Sequence, residues 1–191
     1  SQLCEQACCA AALDRPIRIG AIQHALVAHG WQIGFSPLAR PAQPRPERVA
    51  CIGAGPGSLA CAAELSKAGV QVTIFERQPA AGGVLRWGVP LHRLDEALLD
   101  RELRDLLALG VELRCSTAIE GPAAAERLLT ECYAAVFLGT GAWESVRVDE
   151  KSPALPGQVA AIDFLTELRS GQGERWATRL VGRQVAVLGG G

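Results

Sequence analysis

The chain has 191 residues, 49% of them hydrophobic and 20% charged, and a net charge of −1. That balance excludes the basic footprint of a nucleic-acid or anionic-membrane binder, and no apolar run reaches the length of a membrane span. No charged-then-apolar leader suggests export, so the seven cysteines read as reduced thiols of a cytoplasmic protein rather than a disulfide framework. With no methionine and cysteines already present at "SQLCEQACC", the chain is expected to be a piece of a longer protein.

Residues 1–36 open with clustered cysteines and continue into "PIRIGAIQHALVAHGW", where Ile19, Ile22, Leu26 and Val27 fall at helical spacing. Prolines at 37, 41, 44 and 46 remove backbone donors, so 37–47 reads as an extended linker and domain boundary. From Arg48 the pattern is β-α-β: the strand "RVACIG", the helix "GSLACAAELSKAG" closed by Gly69, and the strand "VQVTIFE". A glycine-punctuated irregular segment follows over 80–94. The helix "DEALLDRELRDLLALG" comes next, with Leu98, Leu99, Leu103, Leu106 and Leu107 along one side. Then come a strand "VELRCS", a helix around "AAAERLLTE", a buried strand "AAVFLGTGA", a loop "SPALPG" and a helix "VAAIDFLTELRSG". Last is the strand "RQVAVLGGG", ending in Gly189–Gly191. This alternation predicts an α/β fold with a mostly parallel sheet covered on both faces. Its main domain would run over 48–180, with 181–191 opening a second one.

The strongest local signal is "CIGAGPGSLACAAELSKAGVQVTIFE". Gly53 allows a tight turn after the strand, and Gly55 lets a pyrophosphate approach the backbone. Amides at the start of the next helix face that anion, so the run Gly53, Ala54, Gly55, Pro56, Gly57, Ser58 is the expected phosphate cradle. Ser58 stands where a third glycine is usual, and its small side chain suits close helix–strand packing. Glu76 ends the second strand about twenty residues on, where a carboxylate bonds a ribose 2′-OH and repels a 2′-phosphate. Glu76 therefore marks a site preferring FAD or NAD over NADP, and the adjoining Arg77 is counted with it among the cofactor-binding residues. Gly82 and Gly83, and the turn Gly139, Thr140, Gly141 after an apolar strand, add backbone approach at further points. That suits a ligand as long as FAD.

The wider set "GAGPGSLACAAELSKAGVQVTIFER…GGVLRWGVPLHRL…LDRELRDLLALGVEL…YAAVFLGTGA…LPG…AIDFL" resembles the FAD-binding half of the NADPH-dependent glutamate synthase small subunit. The flavin region of dihydropyrimidine dehydrogenase is in the same group. The resemblance implies that Gly83, Val84, Leu85, Gly88, Arg93 and Leu94 line the flavin end; Trp87, within the same glycine-rich loop, reads equally as a neighbour of the ring or as simple packing. It also implies a preceding helical domain with [4Fe–4S] clusters, and "CEQAC…PIRIGAIQ" puts Cys4 and Cys8 at ligand positions. Two thiolates cannot hold a four-iron cluster alone. "RQVAVLGGG" would open a NADPH-binding domain. The whole protein would pass electrons from NADPH through FAD and the clusters to an electron-accepting subunit or domain, implying a hetero-oligomer.

Other candidates carry less. His24, His29 and His92 lack metal spacing, and Cys9 reads as a filler beside the ligand positions. Cys51, Cys61, Cys115 and Cys132 read as core or inert thiols, and the carboxylates of 95–105 interleave with arginines as a solvated face. No catalytic acid or base is identified. Two alternatives stay open: a cluster-free NAD(P)H-dependent flavoprotein reductase, and a non-catalytic electron-transfer or docking domain.

Overall fold

Short apolar runs rich in Val, Ile and Phe, each followed by a turn and a helical stripe, dictate a wound sheet. The computed structural model, which describes residues 3–35, 38, 43–145 and 155–189, shows that sheet. The strands are β1 (Arg48–Ile52), β2 (Gln71–Phe75), β3 (Glu112–Arg114) and β4 (Ala135–Leu138). Their order is β3-β2-β1-β4 and every pairing is parallel. Val49 of β1 sits opposite Val72 on one side and Ala135 on the other.

Two compact units make up the chain, Ser1–Ala39 and Arg40–Gly191. The first holds α1 (Leu3–Gln6), a 3₁₀ turn over Cys9–Ala12 and α2 (Ile19–Gln32). The helix forms where the spacing predicts, but Ile22, Leu26 and Val27 on its apolar stripe are exposed.

In the second unit the helices are α3 (Pro56–Lys67), α4 (Val84–Trp87), α5 (Glu96–Ala108), α6 (Pro122–Glu131), α7 (Ala161–Arg169) and α8 (Gly173–Leu180). Because side chains alternate faces along a strand, the buried strands β1 and β2 face two cores. Cys51 of β1 meets Cys61 of α3 on one face. On the other, Ala50 and Phe75 join Tyr133, with Ile119, Leu128 and Val136 packed against them. Phe75 and Tyr133 meet edge to face at 6.0 Å between centroids. Helix α3 buries Ser58, Ala62 and Ser66, small side chains one turn apart that let it sit close to the sheet. Helix α5 starts at Asp95, whose side chain accepts the Ala97 amide at 2.9 Å, and buries Leu99 and Leu106, while Leu107 faces solvent.

Several expectations are corrected. Strand β4 is an edge strand rather than a buried one, with Phe137 37% and Leu138 68% exposed. Its apolar composition reads as interior, yet only β1 pairs with it among the described residues. The opposite edge differs in kind: β3 presents Glu112 and Arg114, bonded to each other at 2.7 Å. No strand forms over 181–189, and Val185, Val187 and Leu188 are exposed. A strand exists only through a ladder, and none of the described residues offers this segment one. Gly190 and Gly191 lie outside the described residues. Within 80–94 the irregular path contains one helical turn, α4. The sequence reading had no element at α8, which packs Trp176 on Phe164 at 4.9 Å and donates the indole N–H to Glu167 Oε2 at 2.8 Å. Among the described residues no helix is long and apolar enough to cross a membrane.

Candidate dinucleotide-binding cleft

The chain leaves β1 through α3 to β2 on one side, and later returns to place β4 on the other. The carboxyl end of β1 is therefore a switch point, where diverging connections leave a crevice in open α/β sheets. An open cleft of about 950 Å³ lies there. Its walls come from the turn after β1 (Gly53–Gly57), the end of β2 (Glu76, Arg77), Gly83 and Val84, and the turn after β4 (Gly139–Gly141).

The glycines are there for contact distance. Gly53 holds φ +91°, donates its amide to the Phe75 carbonyl at 2.7 Å, and would place a Cβ 2.5 Å from the Gly139 oxygen. Gly83, at φ +51°, would place one 2.6 Å from the Gly55 Cα, so two bare backbones touch across the turn. The Gly82 amide donates to the Ala54 carbonyl at 2.8 Å and locks this approach. Gly55 is extended and caps α3, and Pro56 at the first helical position sets the helix direction. The first amides of a helix have no intrahelical acceptors and carry its positive end, which opens onto the cleft here.

Glu76 is only 5% exposed. One carboxylate oxygen accepts the Ala54 amide at 2.7 Å and the other the Gln78 amide at 2.8 Å. The carboxylate thus braces the glycine turn, while each oxygen keeps a second lone pair for a ribose hydroxyl. Ser58 has no exposed surface and does not line the cleft. A Cβ on Gly139 would fall 1.9 Å from its Oγ, so Ser58 packs directly under the turn after β4.

The segment 82–94 divides. Gly83 and Val84 line the cleft; Leu85, Gly88, Arg93 and Leu94 do not. Gly88 lies where α4 meets α7: a Cβ there would sit 2.7 Å from Val84 Cγ2 and 2.8 Å from Ile162 Cδ1. Arg86 is a buried strut, giving Nε–H to the Ala81 carbonyl at 2.6 Å and pairing with Asp100. Arg169 of α7 bonds the Arg86 carbonyl at 2.7 Å and pairs with Glu96. Trp87 is buried, with its indole N–H on the Ala80 carbonyl at 3.2 Å.

Sequence reasoning missed Thr117–Glu120, Trp143 and Ile162, all of which line the cleft. The loop 117–120 was findable, because it follows the carboxyl end of a third parallel strand. Arg77 lies over the Trp143 ring at 5.8 Å, and the Trp143 indole donates to the Thr140 carbonyl at 3.0 Å.

In the first unit Cys4 is exposed and Cys8 half-buried. Amides of Ile17, Ala10 and Ala11 hold the Cys8 thiol below its ordinary pKa. Among the described residues no three His, Cys, Asp or Glu side chains come together to hold a metal, so Cys4 and Cys8 do not by themselves fit a [4Fe–4S] cluster. In the sheet, burial first and the neighbouring Cys61 second push the Cys51 thiol up to about 12.

A protein-family profile described as an NAD(P)-binding Rossmann-like domain matches residues 51–95. The glutamate synthase [NADPH] small chain of Escherichia coli K12 is 33% identical over 196 residues, covering 100% of this chain and 41% of that protein. The NAD-dependent dihydropyrimidine dehydrogenase subunit PreT of Salmonella typhimurium LT2 is 31% identical, covering 100% and 44%. The chain is a homologue of these subunits. It spans less than half the length of these curated relatives. Mycobacterium tuberculosis FprA, solved in complex with NADPH, superposes at a TM-score of 0.55 and 25% identity, over 64% of this chain and 29% of that one. The sheet and glycine turn are those of a Rossmann-like dinucleotide-binding domain.

Proposed function

We propose that the chain is the FAD-holding portion of a NAD(P)H-dependent flavoprotein oxidoreductase of the glutamate synthase small chain type. The observation that carries this is the glycine turn at the start of α3, opposed by bare backbone at Gly83 and Gly139, all around one cleft at a switch point. Gly53, Gly83 and Gly139 sit where a Cβ would crowd the neighbouring walls, while a Cβ on Gly57 would meet only open space, so bare main chain faces the cleft where a ligand would press. Contact points spread from Gly53 to Gly83 and Gly141 suit a dinucleotide of FAD length.

When bound, FAD supplies acceptance of a hydride from a reduced nicotinamide and release of its electrons one at a time. The chain's own residues bind and orient it. The amides at the start of α3 neutralise the pyrophosphate, and Glu76 keeps the turn in shape while offering an oxygen to the adenosine ribose. Val84, Ile162 and Phe137 give part of the cleft an apolar lining, against which a bound ligand would displace water. NADPH on a following domain, [4Fe–4S] clusters and an electron-accepting subunit or domain complete the reading for the longer protein. Cys4 and Cys8 would be two of the cluster thiolates.

The test is to mix the purified chain with FAD, desalt it, and record the visible spectrum. Retained flavin absorption supports the proposal; a folded chain that retains none overturns it. Iron and acid-labile sulfide assays on the longer protein separate the cluster-bearing reading from a cluster-free reductase.

A further inference from the structure

Arg77 and Trp143 stand on opposite walls of the cleft. Arg77 follows Glu76 at the end of β2, and Trp143 lies just beyond the turn after β4. Since β2 and β4 flank β1, the pair reaches across the carboxyl end of β1, above the glycine turn. We infer that Arg77 and Trp143 form a stacking clamp for the adenine base of the bound dinucleotide. This rests on the dinucleotide reading proposed above.

Three observations carry it. First, the guanidinium is 5.8 Å from the indole centroid, near the outer limit of about 6 Å for a cation–π contact. A flat base between them needs roughly 3.5–4 Å on each side, so the clamp accepts one by parting about 1–2 Å. Second, the two sides differ in freedom. Trp143 is fixed by its bond to the Thr140 carbonyl, and Gly141 leaves just enough room for the indole, a Cβ there falling 3.3 Å from Nε1. Arg77 is exposed, and its long stem can move outward. Third, the placement matches the ligand's order. The pyrophosphate belongs at Gly53–Gly57 and the ribose at Glu76, so the base attached to that ribose lies next to Arg77. An indole plane and a planar guanidinium both stack on purines, whichever dinucleotide carries the base.

The test uses the full chain titrated with FAD, NADPH and ADP, read by flavin fluorescence, nicotinamide fluorescence and calorimetry respectively. Trp143→Ala is expected to weaken every adenine ligand that the wild type binds by about tenfold, the size of a lost base–aromatic stack. Arg77→Ala should weaken them by a smaller factor, and Trp143→Phe should stay within about threefold of wild type because a stacking plane remains. Circular dichroism checks that each variant is folded, and Trp143→Phe gives the answer if the alanine variant is not. If wild type binds FAD or NADPH and neither Trp143→Ala nor Arg77→Ala shifts affinity beyond twofold, the clamp is wrong and the dinucleotide reading survives. If wild type binds none of the three ligands, both fall.

Discussion

Gly83→Ala is the sharpest test of how the cleft is built. Gly83 sits at φ 51° and ψ −134°, and a Cβ there would lie 2.6 Å from the Gly55 Cα. Carbon atoms in contact sit about 3.5–4.0 Å apart, so the glycine turn must retreat by roughly 1 Å. Two costs add. The backbone conformation, open to glycine alone, costs about 1–3 kcal/mol for alanine. Displacing packed main chain costs about 1–3 kcal/mol more. Gly121→Ala is the control: φ 75° and ψ 166° are equally foreign to alanine, but its Cβ meets nothing within 4 Å. The gain from a stiffer unfolded chain is common to both variants and cancels in their difference. Urea unfolding should therefore place Gly83→Ala about 1–3 kcal/mol below Gly121→Ala. Because the retreat occurs at the cap of α3, FAD affinity should fall at least tenfold in Gly83→Ala alone. Equal stabilities within about 0.5 kcal/mol, together with equal affinities, would refute the close approach of the two glycines as the reason for Gly83.

Two further outcomes follow from named contacts. Arg86→Met removes a buried guanidinium from the Ala81 carbonyl and from Asp100, and should cost about 2–4 kcal/mol in a urea titration. Arg114→Met breaks a half-exposed pair with Glu112 and a contact over the Phe75 ring at 5.4 Å, and should cost about 0.5–1.5 kcal/mol; similar losses for the two would contradict the strut role. The Cys51 thiol, pushed up from 9.0 to about 12, keeps its proton in the folded state when the unfolded chain has lost it. The folded state then binds more protons, so stability is full below about pH 9 and declines as pH rises toward 12. Chemical denaturation across that window should show the decline, and Cys51→Ala should flatten it relative to wild type.

What the sequence discloses here is local. The β-α-β unit, the glycine turn and the acid at 76 are legible because strand period, turn chemistry and helix stop all act within a few residues. The parallel sheet follows from the alternation. The exposure of β4 was not legible, since an apolar run has the same composition at an edge as in the middle. Nor was the aim of the Glu76 carboxylate, which depends on where the Ala54 amide lies in space. Arg86 and Gly88, inside the motif assigned to the flavin end, also serve the packing of α4 against α5 and α7, a role set by elements far along the chain. Trp143 joins the site only because β4 lands beside β1.

The two edges of the sheet, as the described residues form it, differ in what they offer a further strand. At β3, a newcomer strand would have to strip water from Glu112 and Arg114, whose mutual pair already occupies them. At β4, which among the described residues pairs with β1 alone, the exposed side chains Phe137 and Leu138 are apolar. Open apolar edges recruit strands, while charged ones repel them. Among the described residues the sheet is thus guarded at β3 and open at β4, where Leu138 also lines the cleft, so the apolar edge and the candidate site share one strand.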